Sequence, residues 1–171
     1  MAMVPFFEAA GDRALAETRS ITVIEDDLVP RDDYAFMEFY CDDPACDCRR
    51  VIFQVWRKST GNKVWATITY GWDTPEYYAK WSHCGLGSEA REMAGSTLEQ
   101  ISPQMKLSGG LLRIFRELLQ SDPEYVARLK RHYQEMCPGR GGVKPSLNPS
   151  GNPSGNVKRK MRERLRMRRR K

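Results

Sequence analysis

Apolar positions in the first half of the chain follow the pattern of buried strands. Residues 20–26 (Ile21, Val23), 34–41 (Phe36, Phe39), 51–57 (Ile52, Phe53, Val55, Trp56) and 64–70 (Trp65, Ile68) are rich in β-branched and aromatic side chains, which suit a pleated, half-buried surface. Turn formers separate them: Pro30-Arg31-Asp32-Asp33, Asp42-Asp43-Pro44 and Ser59-Thr60-Gly61-Asn62. Connections this short predict an antiparallel meander. After Tyr70 the period lengthens. Asp73-Thr74-Pro75-Glu76 supplies an N-cap residue, a first-turn proline and a glutamate placed for a capping box, with Tyr77, Tyr78 and Trp81 following at helical spacing. Residues 110–120 carry Leu111, Leu112, Ile114, Phe115, Leu118 and Leu119 in the i, i+3, i+4, i+7 pattern of an amphipathic helix. Ser121-Asp122-Pro123-Glu124 stops that helix and starts another, with Tyr125, Val126, Leu129, Tyr133 and Met136 as its apolar face. Residues 6–19 are expected to be helical. The predicted fold class is α+β: a small antiparallel sheet of about four strands covered by C-terminal helices, including a helical hairpin.

Charge divides the chain further. Residues 157–171 hold ten Lys or Arg against one acid, Glu163, a net of +9, which leaves −3 on residues 1–156 out of +6 overall. The basic pI of 9.2 therefore describes the tail and not the body. Between the two, residues 138–156 contain five Gly, four Pro and a tandem Asn-Pro-Ser-Gly. With little to bury and no way to continue a helix, this stretch reads as a flexible, disordered linker, spanning roughly 25 Å as a random coil. The expected organisation is an α+β domain over 1–137, a linker over 138–156 and an arginine-rich tail over 157–171. At 171 residues with 40% apolar residues the chain can build an ordinary core. No run approaches the roughly eighteen apolar residues of a membrane span. The start lacks the basic n-region of a secretory signal. A cytoplasmic location is expected.

The strongest chemical signal is Tyr40-Cys41-Asp42-Asp43-Pro44-Ala45-Cys46-Asp47-Cys48-Arg49-Arg50. A tight turn at Pro44 would fold three thiolates toward one point, as zinc requires, and ligand spacings of two to four residues are common in structural sites. The Cys-x-Cys step needs a bend so that both sulfurs face one metal. Arg49 and Arg50 are candidates to offset thiolate charge; Asp42, Asp43 and Asp47 to accept backbone amides or to ligate. The alternatives are buried or unrelated cysteines, or redox chemistry, while a disulfide staple is disfavoured by the odd count of five. The fourth ligand stays open: Cys84 would complete a Cys₄ site, His83 a Cys₃His site, an Asp is a third option, and water would leave a catalytic geometry. His132 reads as a helix-face residue, Cys137 as a free thiol opening the linker, and Trp72 as core. Gly71 suggests a bulge or a close backbone approach. There is no phosphate loop, dinucleotide fingerprint, nucleophile elbow or His-Glu-x-x-His zinc motif in the sequence.

The stretch from Tyr40 to Val51, together with Ala66-Thr67-Ile68-Thr69-Tyr70-Gly71-Trp72 and Tyr125-Val126-Ala127-Arg128-Leu129-Lys130-Arg131-His132-Tyr133, resembles a family of uncharacterised prokaryotic proteins with a Cys-x4-Cys-x-Cys-Arg-Arg stretch. Some of its members end in a SEC-C motif, a cysteine-rich zinc-binding tail. The resemblance covers most of residues 30–136 and implies a cytoplasmic protein with a metal site at Cys41, Cys46 and Cys48, and no established activity. This chain departs from it where the SEC-C tail would stand. In the tail, Val157, Met161 and Leu165 recur every four residues among Lys158, Arg159, Lys160, Arg162, Arg164 and Arg166, followed by Arg168, Arg169, Arg170 and Lys171. Guanidinium forks suit phosphates. The leading partner for these residues is nucleic acid, bound without sequence readout; an acidic membrane surface and a purely solvated tail are the alternatives. Two functions follow. One is a zinc-stabilised binding or adaptor protein that also contacts another protein. The other is a metal-dependent hydrolase or nuclease with an open zinc and Asp47 or Asp43 as base.

Overall fold

A single antiparallel sheet of six strands organises the computed structural model, which describes residues 3–61, 63–102 and 104–136. The elements in chain order are β1 (Met3–Pro5), α1 (Phe6–Ala10), α2 (Asp12–Glu17), β2 (Arg19–Val23), β3 (Asp32–Cys41), β4 (Arg50–Arg57), β5 (Val64–Gly71), α3 (Pro75–Ser82), α4 (Ser88–Met93), β6 (Gly95–Leu98), α5 (Ser108–Ser121) and α6 (Pro123–Met136). A short 3₁₀ turn over Lys58–Thr60 joins β4 toward β5. The ten-residue β3 takes β4 on one edge. Its other edge is shared, with β2 against Asp32–Phe36 and β1 against Phe39–Cys41. Beyond β4 follow β5 and then β6.

The α5–α6 hairpin closes one face of this sheet. Leu111, Phe115 and Leu118 are the buried stripe of α5. The Phe115 ring lies 5.4 Å from that of Phe36 on β3, 4.8 Å from Phe53 on β4 and 6.2 Å from Tyr70 on β5, centring the core on four aromatic rings. Asp122 separates the two helices, and its carboxylate accepts the Tyr125 amide at 2.9 Å while Pro123 opens α6. This is the stop-and-start signal expected there. From that cap α6 runs along β3, burying Tyr125, Leu129, His132 and Tyr133.

The α+β architecture with its helical hairpin matches the sequence reading, and several details differ. The sheet has six strands and not about four, because β1 and β6 are short and carry a proline or Gly-Ser-Thr in place of an apolar run. The stretch 6–19, expected to be helical, forms two short helices that end at Ala10 and Glu17, broken at Gly11 with its φ of 53°, while Arg19 already belongs to β2. β2 stops at Val23 and not at residue 26, because the Asp26 carboxylate accepts the amides of Leu28 and Val29, both at 2.9 Å, and turns the chain. The N-cap of α3 is Thr74, whose hydroxyl accepts the Tyr77 amide at 3.3 Å. That places Glu76 at the second helical position, so no capping box forms. Cys137, the linker over 138–156 and the tail over 157–171 lie outside the described residues.

Candidate metal centre

The three cysteines meet at the end of the sheet where β3 finishes and β4 begins. Cys41 is the last residue of β3. Asp43 then builds the turn: its carboxylate accepts the Ala45 amide at 2.9 Å and its carbonyl the Cys46 amide at 3.1 Å, an Asp-Pro arrangement that reverses the chain. No residue within the Cys46-Asp47-Cys48 step has a positive φ; the left-handed residue, Arg49 at φ 47°, follows it, in a conformation that strains L-residues. The sulfurs of Cys41, Cys46 and Cys48 lie within 4.8 Å of one another. Their residues are 0%, 8% and 5% exposed, and all three are thiols. Around a tetrahedral zinc with Zn–S near 2.3 Å, sulfurs sit about 3.8 Å apart. Small side-chain adjustments close that gap. Burial pushes the Cys46 thiol up to about 12, and the adjoining Cys48 and Cys41 sulfurs push in the same direction. Three buried sulfurs packed this closely suit a soft or borderline cation, which offsets the repulsion between thiolates.

The residues flanking Cys48 are braced from three elements. Tyr77 of α3 donates its hydroxyl proton to the Asp47 carbonyl. Tyr78 of α3 donates to the Arg49 carbonyl at 2.8 Å, as does the Trp72 amide just past β5 at 3.4 Å. From α6, the Tyr133 hydroxyl accepts the Arg49 amide at 3.2 Å and donates to Asp47 Oδ1 at 3.3 Å. The peptide units on both sides of Cys48 are thus held independently of any metal, which pre-organises its sulfur.

The charges were assigned differently by the sequence. Arg49 does not face the thiols: its guanidinium meets Asp47 at 3.0–3.2 Å and Asp73 at 2.8 Å, and lies 4.3 Å from the centre of the Tyr77 ring. Those two carboxylates push its pKa up. Burial works against the Asp47 carboxylate, but the Arg49 guanidinium and the Tyr77 and Tyr133 hydroxyls outweigh it and hold Asp47 below the usual carboxylate range. Arg50 lines a separate groove with Glu89, Glu92 and Glu99. Among the described residues no carboxylate joins the three thiols. His83 and Cys84 do not join them either. Both are exposed, His83 as the left-handed cap of α3 and Cys84 with its sulfur 2.6 Å from the Ser82 hydroxyl. Tyr77 and Tyr78, near the start of α3, touch the cysteine loop, and the helix carries Ser82 about 6 Å beyond Tyr78 along its axis.

His132 is the functional-looking residue that the sequence reading underrated. It is fully buried. Its Nδ1 lies 2.7 Å from Glu38 Oε2 and its Nε2 2.6 Å from Glu17 Oε2, with the Phe6 ring stacked on it at 3.9 Å. The signal was its place in the buried stripe, seven residues after Tyr125 and three after Leu129. Gly71 does mark a close approach, since a Cβ there would run into the Met93 carbonyl and the Tyr78 hydroxyl. Beside the cysteine loop lies an open cleft of about 270 Å³ lined by Asp47, Arg49, Trp72, Asp73, Lys130 and Tyr133. Trp72 is therefore both a packing residue, 5.1 Å from the Tyr133 ring, and part of a cleft wall.

No family model, curated protein or solved structure matches this chain. Among the described residues no helix is long and apolar enough to cross a membrane. What the geometry defines is a buried three-cysteine cluster that could hold a metal such as zinc.

Proposed function

We propose that the protein is a zinc-stabilised binding or adaptor protein of the cytoplasm, in which the metal ties the end of β3 to the start of β4. The observation that carries this reading is the convergence of three buried cysteine sulfurs within 4.8 Å. A thiolate-rich site shielded from solvent suits a structural ion, whereas a hydrolytic zinc needs an open position and a base. Asp47, one base considered for the hydrolase, already has its carboxylate bonded to Arg49 and Tyr133. Asp43 uses its own to build the turn. The resemblance to the Cys-x4-Cys-x-Cys-Arg-Arg family agrees with a metal site of this kind. The tail, from Lys158 to Lys171, is assigned to polyanions, nucleic acid first.

Two experiments test the two halves. Protein purified under reducing, chelator-free conditions should carry close to one zinc per chain, and Cys48→Ser should lower that occupancy; wild-type protein without metal would contradict the reading. Truncation after Gly155 should abolish salt-sensitive retention on RNA or heparin. Unchanged retention at low salt would remove nucleic acid from the account.

A further inference from the structure

We infer that a water molecule is built into the interface between α6 and β3, bridging Glu38 Oε1 to the Tyr125 hydroxyl. Among the described residues five buried side-chain atoms have no hydrogen-bond partner within the protein, and four of them belong to one cluster: Glu38 Oε1, the Tyr125 hydroxyl and the Nε atoms of Arg19 and Arg128. Unpaired groups of this kind are costly, and in folded proteins nearly all of them find a partner. The Glu38 side chain is 3% exposed and Tyr125 is 1% exposed, so bulk solvent does not supply one.

Two elements bring these atoms together. On β3, Glu38 lies two residues from Phe36 and two from Tyr40, on the face that the helical hairpin covers. Its Oε2 is engaged twice, by the Tyr40 hydroxyl at 2.7 Å and by His132 Nδ1 at 2.7 Å. The same Tyr40 hydroxyl lies 3.3 Å from the Leu129 carbonyl, one turn past Tyr125 on α6. The guanidinium carbons of Arg128 and Arg19 stand 5.0 and 5.6 Å from the centre of the Tyr125 ring. Burial first, and then the Glu38 carboxylate, push the Tyr125 hydroxyl well above its ordinary value, while the Arg128 and Arg19 guanidiniums pull the other way. Those three charges all act on one phenol oxygen.

The chemistry of the cluster selects water. An anion would meet the Glu38 carboxylate. A cation would meet two guanidiniums, one of them already paired with Asp122 at 3.2 Å. Water donates to a carboxylate and accepts from a hydroxyl or an Nε–H, and buried waters take about three hydrogen bonds each. Glu38 Oε1, the Tyr125 hydroxyl and one arginine Nε–H supply that number. The bridge extends the contacts of His132 with Glu17 and Glu38 into one hydrogen-bonded chain, from the end of α2 to the first turn of α6. It is separate from the thiol cluster and independent of any metal.

Tyr125→Phe in the full-length chain tests the bridge by the sign of its effect. An unpaired buried hydroxyl weakens a fold, so its removal would raise the urea midpoint. A hydroxyl that holds water on Glu38 stabilises, so its removal should lower the midpoint, by roughly 0.5 M for one lost hydrogen bond. In a Glu38→Met background the same change should lower it much less, the acceptor being gone. A high-resolution crystal structure of the wild type needs no variant to fold. It should show water density within about 3.2 Å of both Glu38 Oε1 and the Tyr125 hydroxyl. A raised or unchanged midpoint in Tyr125→Phe, an equal loss in both backgrounds, or Glu38 Oε1 found paired directly with a guanidinium would overturn the assignment.

Discussion

Replacing His132 by leucine should cost the fold about 3 kcal/mol, because of what it leaves behind. The imidazole has no solvent exposure and lies between two carboxylates, 2.7 Å from Glu38 and 2.6 Å from Glu17. Each ring nitrogen thus shares one hydrogen bond with a carboxyl oxygen. Glu17 is near the surface and keeps Arg131 at 3.2 Å, so it tolerates the loss. Glu38 does not. Its side chain is 3% exposed, its Oε1 has no hydrogen-bond partner among the described residues, and its Oε2 would retain only the Tyr40 hydroxyl at 2.7 Å. Removing one partner of a buried charged pair costs about 3–5 kcal/mol. Leucine fills most of the ring's volume against Phe6, which places the expected loss at the lower end. In urea denaturation followed by far-UV circular dichroism, the midpoint should fall with m unchanged. The double variant His132→Leu with Glu38→Met removes the stranded carboxylate as well and should return to within about 1 kcal/mol of wild type, since apolar replacement of a buried pair is often neutral. A single variant as stable as wild type, or a double variant no better than the single, would refute this reasoning.

Other expectations concern the walls of the site. Gly71→Ala forces a Cβ into the Met93 carbonyl and the Tyr78 hydroxyl that holds Arg49, and should cost about 3 kcal/mol in the same assay; wild-type stability would contradict the close approach. Arg49→Gly and Arg49→Ala both remove the guanidinium between Asp47 and Asp73, but only alanine must hold φ 47° against its Cβ, so the glycine variant should be the more stable by about 1 kcal/mol; equal thermal midpoints would mean that the bend is unstrained. At the other end of the sheet, Asp32 is drawn down to about 2, by the Ser59 hydroxyl first and then, against the cost of burial, by the Asp33 amide and the Arg57 guanidinium. A depressed folded-state pKa stabilises above the unfolded value near 4 and loses that contribution as pH falls through the folded one. The Asp32 carboxyl should therefore titrate with a midpoint near 2 by NMR, and the acid sensitivity between about pH 4 and 2 should be shallower in Asp32→Asn; a midpoint near 4 would contradict this.

What the sequence disclosed was whatever repeated. The strands built around Phe36, Phe53 and Ile68, and the helix carrying Leu111, Phe115 and Leu118, declared themselves because each places an apolar side chain at the period of its element. Asp122-Pro123 and Thr74-Pro75 announced helix starts because caps are local chemistry. Pairing that depends on distant partners left little trace. β1 exists because Phe39–Cys41 offers a free edge to Met3–Pro5, and nothing in three residues advertises that. The thiols of Cys41, Cys46 and Cys48 converge as their spacing suggested, since a turn of eight residues allows them few other places. His83 and Cys84, weighed as fourth ligands, are exposed past the end of α3 and lie outside the three-thiol cluster, a placement that sequence distance alone does not reveal. Arg49 was read by its charge alone, and the Asp73 carboxylate that claims it stands twenty-four residues away.

The central claim is that these sulfurs bind one metal ion, and X-ray absorption at the zinc edge of the natively purified protein tests it most directly. The account predicts a first shell of at least three sulfurs at about 2.3 Å. A shell of nitrogen and oxygen alone near 2.0 Å, or an edge too weak for one zinc per chain, would contradict it.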